Sequence, residues 1–214
     1  MSDVVKGRRG YHSPLRAGQA DETRRKVLVA AQELFIARGY AGTTVTAVAE
    51  AAGVSPDTIY ASLGGKSGLL EGVLAAARAD PEDPAQREQN HRRDHIAALA
   101  DPHQRLRQLV GLSCETLART SPIHAVLRGA ADGHPFAAEL RDRSLRIRLR
   151  IQSTNLQTYV GSALRDGLTL RQAAERYSAL LSPELYHLLT VERRWTARQY
   201  QSWVADLLDH DLLG

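Results

Sequence analysis

Residues 43–65 read TTVTAVAEAAGVSPDTIYASLGG, two short apolar-periodic segments divided by a glycine. Thr43 or Thr44 can accept a hydrogen bond from the first free amides of a helix running through Glu50. Gly53 permits the tight turn that follows. Ser55 can cap a second helix with Pro56 at its first position, where the missing N–H costs nothing. Val45, Val48, Ala49, Val54 and Ile59 fall where the two helices would face a common core, and Ala49 is small enough for a close crossing. Two short helices joined by a glycine-containing turn make a helix-turn-helix.

The flanking sequence extends this unit in both directions. Upstream, DETRRKVLVAAQELFIARG at residues 21–39 sets Val27, Leu28, Ala31, Leu34 and Phe35 on one helical stripe, starts with acidic residues and stops at Gly39. Residues 1–20 hold Gly7, Gly10, Pro14 and Gly18 without apolar periodicity and read as a flexible arm. Downstream, Leu69, Leu70, Val73 and Leu74 predict a helix over 66–79, and DPEDP at 80–84 breaks it. Further helices are expected near 86–99, 102–120, 122–131, 135–165, 169–191 and 196–211, with a kink at Ser182-Pro183. No strand pattern or repeat appears. The fold class is all-α, divided into an arm (1–20), an N-terminal three-helix helix-turn-helix domain (21–67) and a larger C-terminal helical domain (68–214).

A chain of 214 residues can bury a sizeable core. Its one cysteine, Cys114, forms no internal disulfide and no zinc site alone. The N-terminus lacks an apolar signal region, and no apolar run spans a bilayer, so a cytoplasmic location is expected. The net charge of +4 is mild, but its placement is uneven. The first 26 residues hold seven basic side chains (Lys6, Arg8, Arg9, Arg16, Arg24, Arg25, Lys26) against three acidic ones, a distribution compatible with a nucleic-acid partner.

Gly65-Lys66-Ser67 resembles the end of a phosphate-binding loop, which would make the chain a helical nucleotide-binding protein or enzyme. That loop needs a glycine at position 60 and a buried strand before it. Tyr60 stands there, inside a helical pattern. At the end of a recognition helix, Lys66 and Tyr60 can instead meet the backbone phosphates of DNA; their plainer roles are a solvated lysine and a core tyrosine. His91 and His95, at i, i+4, are an incomplete metal set and read as a polar helix face. Cys114 and His124 lack the further parts of a nucleophilic site. No enzyme activity, metal or cofactor is expected.

RRKVLVAAQELFIARGYAGTTVTAVAEAAGVSPDTIYASLGGKSGLL, about 47 residues, resembles the DNA-binding domain of the TetR family of transcriptional repressors through its Leu-Phe, Gly-Tyr, Thr-Thr-Val, Ala-Gly-Val-Ser, Thr-Ile-Tyr, Lys and Leu-Leu landmarks. LLSPELYHLLTVERRWTARQYQSWVADLL looks like the closing helices of many such regulators. The resemblance implies a homodimer on a double-stranded operator, with a C-terminal domain for a small-molecule ligand and dimerisation. It also implies DNA-facing roles for Thr44, Ser55, Asp57 and Thr58 and phosphate contacts for Tyr60 and Lys66. Leu63 stands where family members commonly carry an aromatic. With no Arg or Lys between Ser55 and Ser62, base reading must rely on Ser, Thr, Asp, methyl or backbone contacts. An effector-independent DNA-binding protein is the other alternative.

Within the larger domain, Ile147, Ile151, Thr154 and Thr158 can line one helix face while Gln152, Asn155 and Tyr159 bring polar groups inward. With His124, these three polar residues are the candidate ligand contacts. The two closing helices are amphipathic and either complete the core or pair with a second copy. The resemblance favours pairing, with Tyr177, Leu181, Leu185, Leu188, Trp203 and Leu207 as candidate dimer contacts.

Overall fold

The computed structural model describes residues 14–78 and 84–214. Lys6, Arg8 and Arg9 of the expected arm lie outside the described residues. Helix α1 (Pro14–Arg38) starts ahead of the expected Asp21, so residues 14–20 are helix rather than arm. Pro14 suits a first helical turn, where its fixed φ is already helical. Val27, Ala31 and Phe35 are buried along α1, which ends at Gly39 with φ +70°.

The caps fall where local chemistry puts them. Thr44 opens α2 (Val45–Ala52), its Oγ1 accepting from the Ala47 amide at 3.1 Å. Thr43 is buried and turns its hydroxyl onto the Gly39 and Leu34 carbonyls at 2.9 and 3.1 Å. Gly53 terminates α2 at φ +68°. Ser55 caps α3 (Pro56–Leu63), accepting from the Thr58 amide at 3.2 Å. Each cap contributes about 1 kcal/mol, useful in helices of eight residues that hydrogen bonds alone would not sustain.

Gly64 and Gly65 lead directly into α4 (Lys66–Arg78). A Cβ on Gly65 would meet the Tyr60 ring at 2.9 Å, and one on Gly68 would lie 1.6 Å from the Leu63 carbonyl oxygen. Gly68 is therefore set by the close approach of α3 to α4, and Gly65 by its left-handed backbone at φ +95°, which residues with side chains rarely adopt. No strand is present among the described residues, and helix, not strand, precedes Gly65-Lys66-Ser67.

Beyond α4 come α5 (Pro84–Ala98), α6 (Pro102–Ala131), α7 (Pro135–Tyr159), α8 (Leu170–Leu180), α9 (Pro183–His187) and α10 (Ala197–Leu212). Helix α6 is one rod where a break near residue 121 was expected. Pro122 sits inside it, but Ile123 and Leu127 just beyond are fully buried, and that burial carries the helix past the lost hydrogen bond. Helix α7 stops at Tyr159, short of 165, in a 3₁₀ turn at Gly161–Ala163. The expected kink at Ser182-Pro183 is a true break: α8 ends, Ser182 caps α9, and α9 passes into a π-helical turn, Leu188–Glu192.

Two apolar cores result. The first joins α1 to α4 with Ile123, Leu127 and Ala130 of α6 and Ala137 and Leu140 of α7. The second binds the N-terminal half of α6 and the end of α7 to α8, α9 and α10 around Tyr177, Tyr200 and Leu208. An Arg143–Glu71 ion pair at 2.7 Å adds a surface tie between α7 and α4.

Candidate nucleic-acid interface and an interior arginine cluster

Helix α3 turns Ile59 fully inward and leaves Ser55, Asp57, Tyr60, Ala61 and Ser62 exposed, with Thr58 half-buried. Thr44 is exposed at the head of α2. The hydroxyls of Thr44 and Ser55 already serve as caps, and Ser55 Oγ lies 2.9 Å from Thr58 Oγ1. Their methyl, methylene and remaining lone-pair surfaces are what face outward. The Asp57 and Tyr60 side chains have no hydrogen bond among the described residues, and Tyr60 is 56% exposed, which sets aside its core reading.

Lys66 is not simply solvated. Its Nζ donates to the Ala41 carbonyl at 3.3 Å and lies 4.5 Å from the centroid of the Tyr40 ring, and partial burial pulls its pKa below the usual lysine value. A cation held over an aromatic face beside a helix N-terminus is placed in advance for an anion. Arg24, which sequence reasoning did not single out, reaches from α1 to the last turn of α3 and donates to the Ser62 carbonyl at 3.1 Å. That contact joins residues 38 positions apart, so no local pattern announces it.

The candidate ligand residues lie elsewhere. Arg148, Gln152, Asn155 and Tyr159 recur at i, i+4, i+7 and i+11 on α7 and form one stripe. Gln152 is buried, Asn155 and Tyr159 are half-buried, and Tyr159 packs against the second core. The neighbouring stripe expected to line a cavity is instead largely outward: Ile151, Thr154 and Thr158 are exposed, and both threonine hydroxyls bond back to their own helix. His124 is half-buried on α6, its pKa pushed down to about 4 by burial and by the charges of Arg78 and Arg148.

Arg78 and Arg148 are the residues sequence reasoning missed here. Arg78 Nη2, Arg148 Nε and Nη1, and Gln152 Oε1 are all buried without a hydrogen-bond partner. Burial disfavours the charge on both guanidiniums, and the two repel each other. Glu184 of α9 offsets Arg148 electrostatically but forms no ion pair with it. A separate surface cavity of about 670 Å³ opens between Phe35–Ala41, the Ser121–His134 part of the chain, and His187 and Val191. None of the four candidate ligand residues lines it.

Two of the six candidate dimer contacts need correction. Tyr177 and Leu181 are fully buried within the chain, Tyr177 beside Ser113 Oγ at 2.9 Å and the Leu109 carbonyl at 3.3 Å. Their stripe faces α6 and α10 rather than a partner. Leu188 and Leu207 are exposed, and Leu185 and Trp203 half-buried, Trp203 meeting Trp195 edge to face at 5.6 Å. Cys114 is buried with its thiol pushed up to about 12, which makes it inert packing. His91 and His95 are exposed on α5, on the polar face expected of them.

Residues 27–73 match the family model for bacterial regulatory proteins of the tetR family. The HTH-type transcriptional regulator SrpR of Pseudomonas putida is 38% identical over 60 residues, which is 28% of this chain and 28% of SrpR. The chain therefore aligns with little more than a quarter of that relative's length. The fold is shared over a longer stretch. NalD, the secondary repressor of the MexAB-OprM multidrug efflux pump in Pseudomonas aeruginosa, superposes with a TM-score of 0.66 at 21% identity, over 91% of this chain and 98% of NalD. A proposed transcriptional regulator from Saccharomonospora viridis, solved with choline, gives 0.66 at 20% identity, over 91% and 99%. Residues 27–73 are thus a helix-turn-helix domain of the type found in bacterial regulatory proteins of the tetR family, set in a fold shared with solved regulators along most of the chain.

Proposed function

We propose that the protein is a DNA-binding transcriptional regulator of the TetR type, a repressor that a small molecule releases from a palindromic operator, acting in the cytoplasm and without catalysis. The observation that carries this reading is the outward face of α3, ended by the exposed Tyr60 and by Lys66 held over Tyr40. The exposed Ser, Thr, Asp and Ala side chains suit short contacts to base edges and thymine methyls, and Tyr60 and Lys66 suit phosphate. No helix among the described residues is long and apolar enough to cross a membrane.

Two such faces are needed to span successive major grooves, which a homodimer supplies. Leu185, Leu188, Trp203 and Leu207 are the proposed contacts, Leu188 and Leu207 being the exposed pair. Release follows if the ligand binds better to a dimer whose α3 helices no longer match the groove spacing, since equal affinity for both forms shifts nothing. His124, Gln152, Asn155 and Tyr159, joined by Arg78 and Arg148, are the proposed ligand contacts. The test is fluorescence anisotropy with duplexes tiled across the region upstream of the gene. Specific binding at an inverted repeat supports the reading, and equal binding to every duplex, or ATP turnover dependent on Lys66, refutes it.

A further inference from the structure

The interior cluster states the charge of what it should hold. Arg78 closes α4, His124 projects from α6, and Arg148 and Gln152 lie one turn apart on α7. Three buried N–H-bearing atoms of the two guanidiniums have no acceptor, and the Gln152 carbonyl oxygen has no donor. Guanidiniums left unpaired in low dielectric are costly, and burying one without a counter-ion is tolerated where something else supplies the negative charge. The groups facing them do so only in part, Glu184 from a distance and toward Arg148 alone. Arg143 adds positive charge toward Arg78 but is itself paired with Glu71, and Glu184 lies within electrostatic but not ion-pair reach of Arg148. The Tyr200 hydroxyl is committed to the Leu180 carbonyl. His124 is uncharged at neutral pH and offers a ring N–H without adding to the repulsion.

We propose that this cluster is a site for a small organic anion, a carboxylate that also carries a hydrogen-bond donor. Arg78 and Arg148 hold the carboxylate and Gln152 Oε1 accepts from the donor. The guanidinium fork matches a carboxylate in geometry as well as charge. The orphaned Gln152 acceptor rejects a purely apolar tail and favours a hydroxyl or N–H on the ligand. A quaternary ammonium such as the choline bound by the structural relative from Saccharomonospora viridis would meet two positive charges here, so the shared fold takes a ligand of opposite sign. The inference rests on the regulator reading only in taking this cluster as the effector site; anion binding itself does not depend on DNA.

The test is calorimetry on the full chain with 4-hydroxybenzoate, benzoate and hexanoate, against 4-hydroxybenzamide and choline, at fixed ionic strength. The carboxylate should bind about ten- to a hundredfold more tightly than its amide. Arg148→Met and Arg78→Met should each remove that preference. Gln152→Leu should erase the advantage of 4-hydroxybenzoate over benzoate while leaving benzoate bound, a result that a merely structural glutamine would not give. Without ligand, Arg148→Met should melt no lower than the unmodified chain, because an unpaired buried charge is lost, so a loss of binding is not a loss of folding. Amide or choline binding as tight as the carboxylate, no heat from any of the three carboxylates at millimolar concentration, or an Arg148→Met chain with full carboxylate affinity overturns the proposal. Those outcomes with operator binding intact leave the regulator reading standing. Carboxylate binding by a chain that binds no duplex sinks the regulator reading and leaves the anion site.

Discussion

His124 should make the folded chain sensitive to mild acid, and the size of the effect follows from where it sits. An ordinary histidine protonates near 6.5; this one is held at about 4 by burial and by Arg78 and Arg148. Above pH 6.5 the ring is neutral whether the chain is folded or not, and it costs nothing. As pH falls below 6.5 the unfolded chain takes up a proton that the folded chain refuses, so stability drops, and the drop ends once pH passes below about 4. At roughly 1.36 kcal/mol for each tenfold difference in proton affinity, the loss at pH 4.5 comes to about 2.5 kcal/mol. For a chain of this size that is about 5–10 °C in melting temperature. The assay is thermal unfolding from pH 7 to 4.5 of the unmodified chain and of His124→Gln, which cannot titrate. Carboxylates common to both cancel in the difference. The variant should lose distinctly less stability over this range, and superimposable pH profiles would refute the placement of His124 beside two half-buried arginines.

Lys66→Ala should weaken binding to operator and random duplex alike and flatten the log–log salt dependence by about 1 per subunit, while Tyr60→Phe lowers affinity with little change in slope; a salt series in anisotropy separates the two. Gly68→Ala forces a methyl to within 1.6 Å of the Leu63 carbonyl oxygen and should cost about 3 kcal/mol or more by urea titration; a loss under about 1 kcal/mol would show that α3 and α4 part easily. Leu188→Asp with Leu207→Lys should leave the helical content unchanged and yield monomers with weak operator binding, and light scattering that still shows dimers would move the interface elsewhere.

The helix-turn-helix was legible because its signals are local. Thr44 and Ser55 cap through hydroxyls three residues from the amides they serve, and Gly53 adopts the left-handed turn that a glycine there advertises. Signals that depend on what lies opposite misled. The stripe carrying Tyr177 and Leu181 is apolar whether a second chain or α6 covers it, and periodicity cannot say which. Pro122 carries the mark of a helix break, yet burial of Ile123 and Leu127 outweighs one missing hydrogen bond. At the interior cluster, His124 and Gln152 could be picked out as polar groups on helices otherwise built for a core. Arg78 and Arg148 could not, since arginine is normally a surface residue and the partial burial of their guanidiniums arises only from the packing of α4 against α6 and α7.

The first core, in which Val27, Phe35 and Ile59 share neighbours with Ile123, Leu127, Ala137 and Leu140, has a consequence for anyone who would recombine this protein. Residues 21–67 are not a detachable reading head. Transplanted alone onto another effector module they would carry a raw apolar seam, and a working chimera must bring the matching stretches of α6 and α7 as well. The same seam ties the helix-turn-helix end to these rods, so in the proposed dimer a change of groove spacing is expected from how two subunits lean against each other and not from a swivel inside either one.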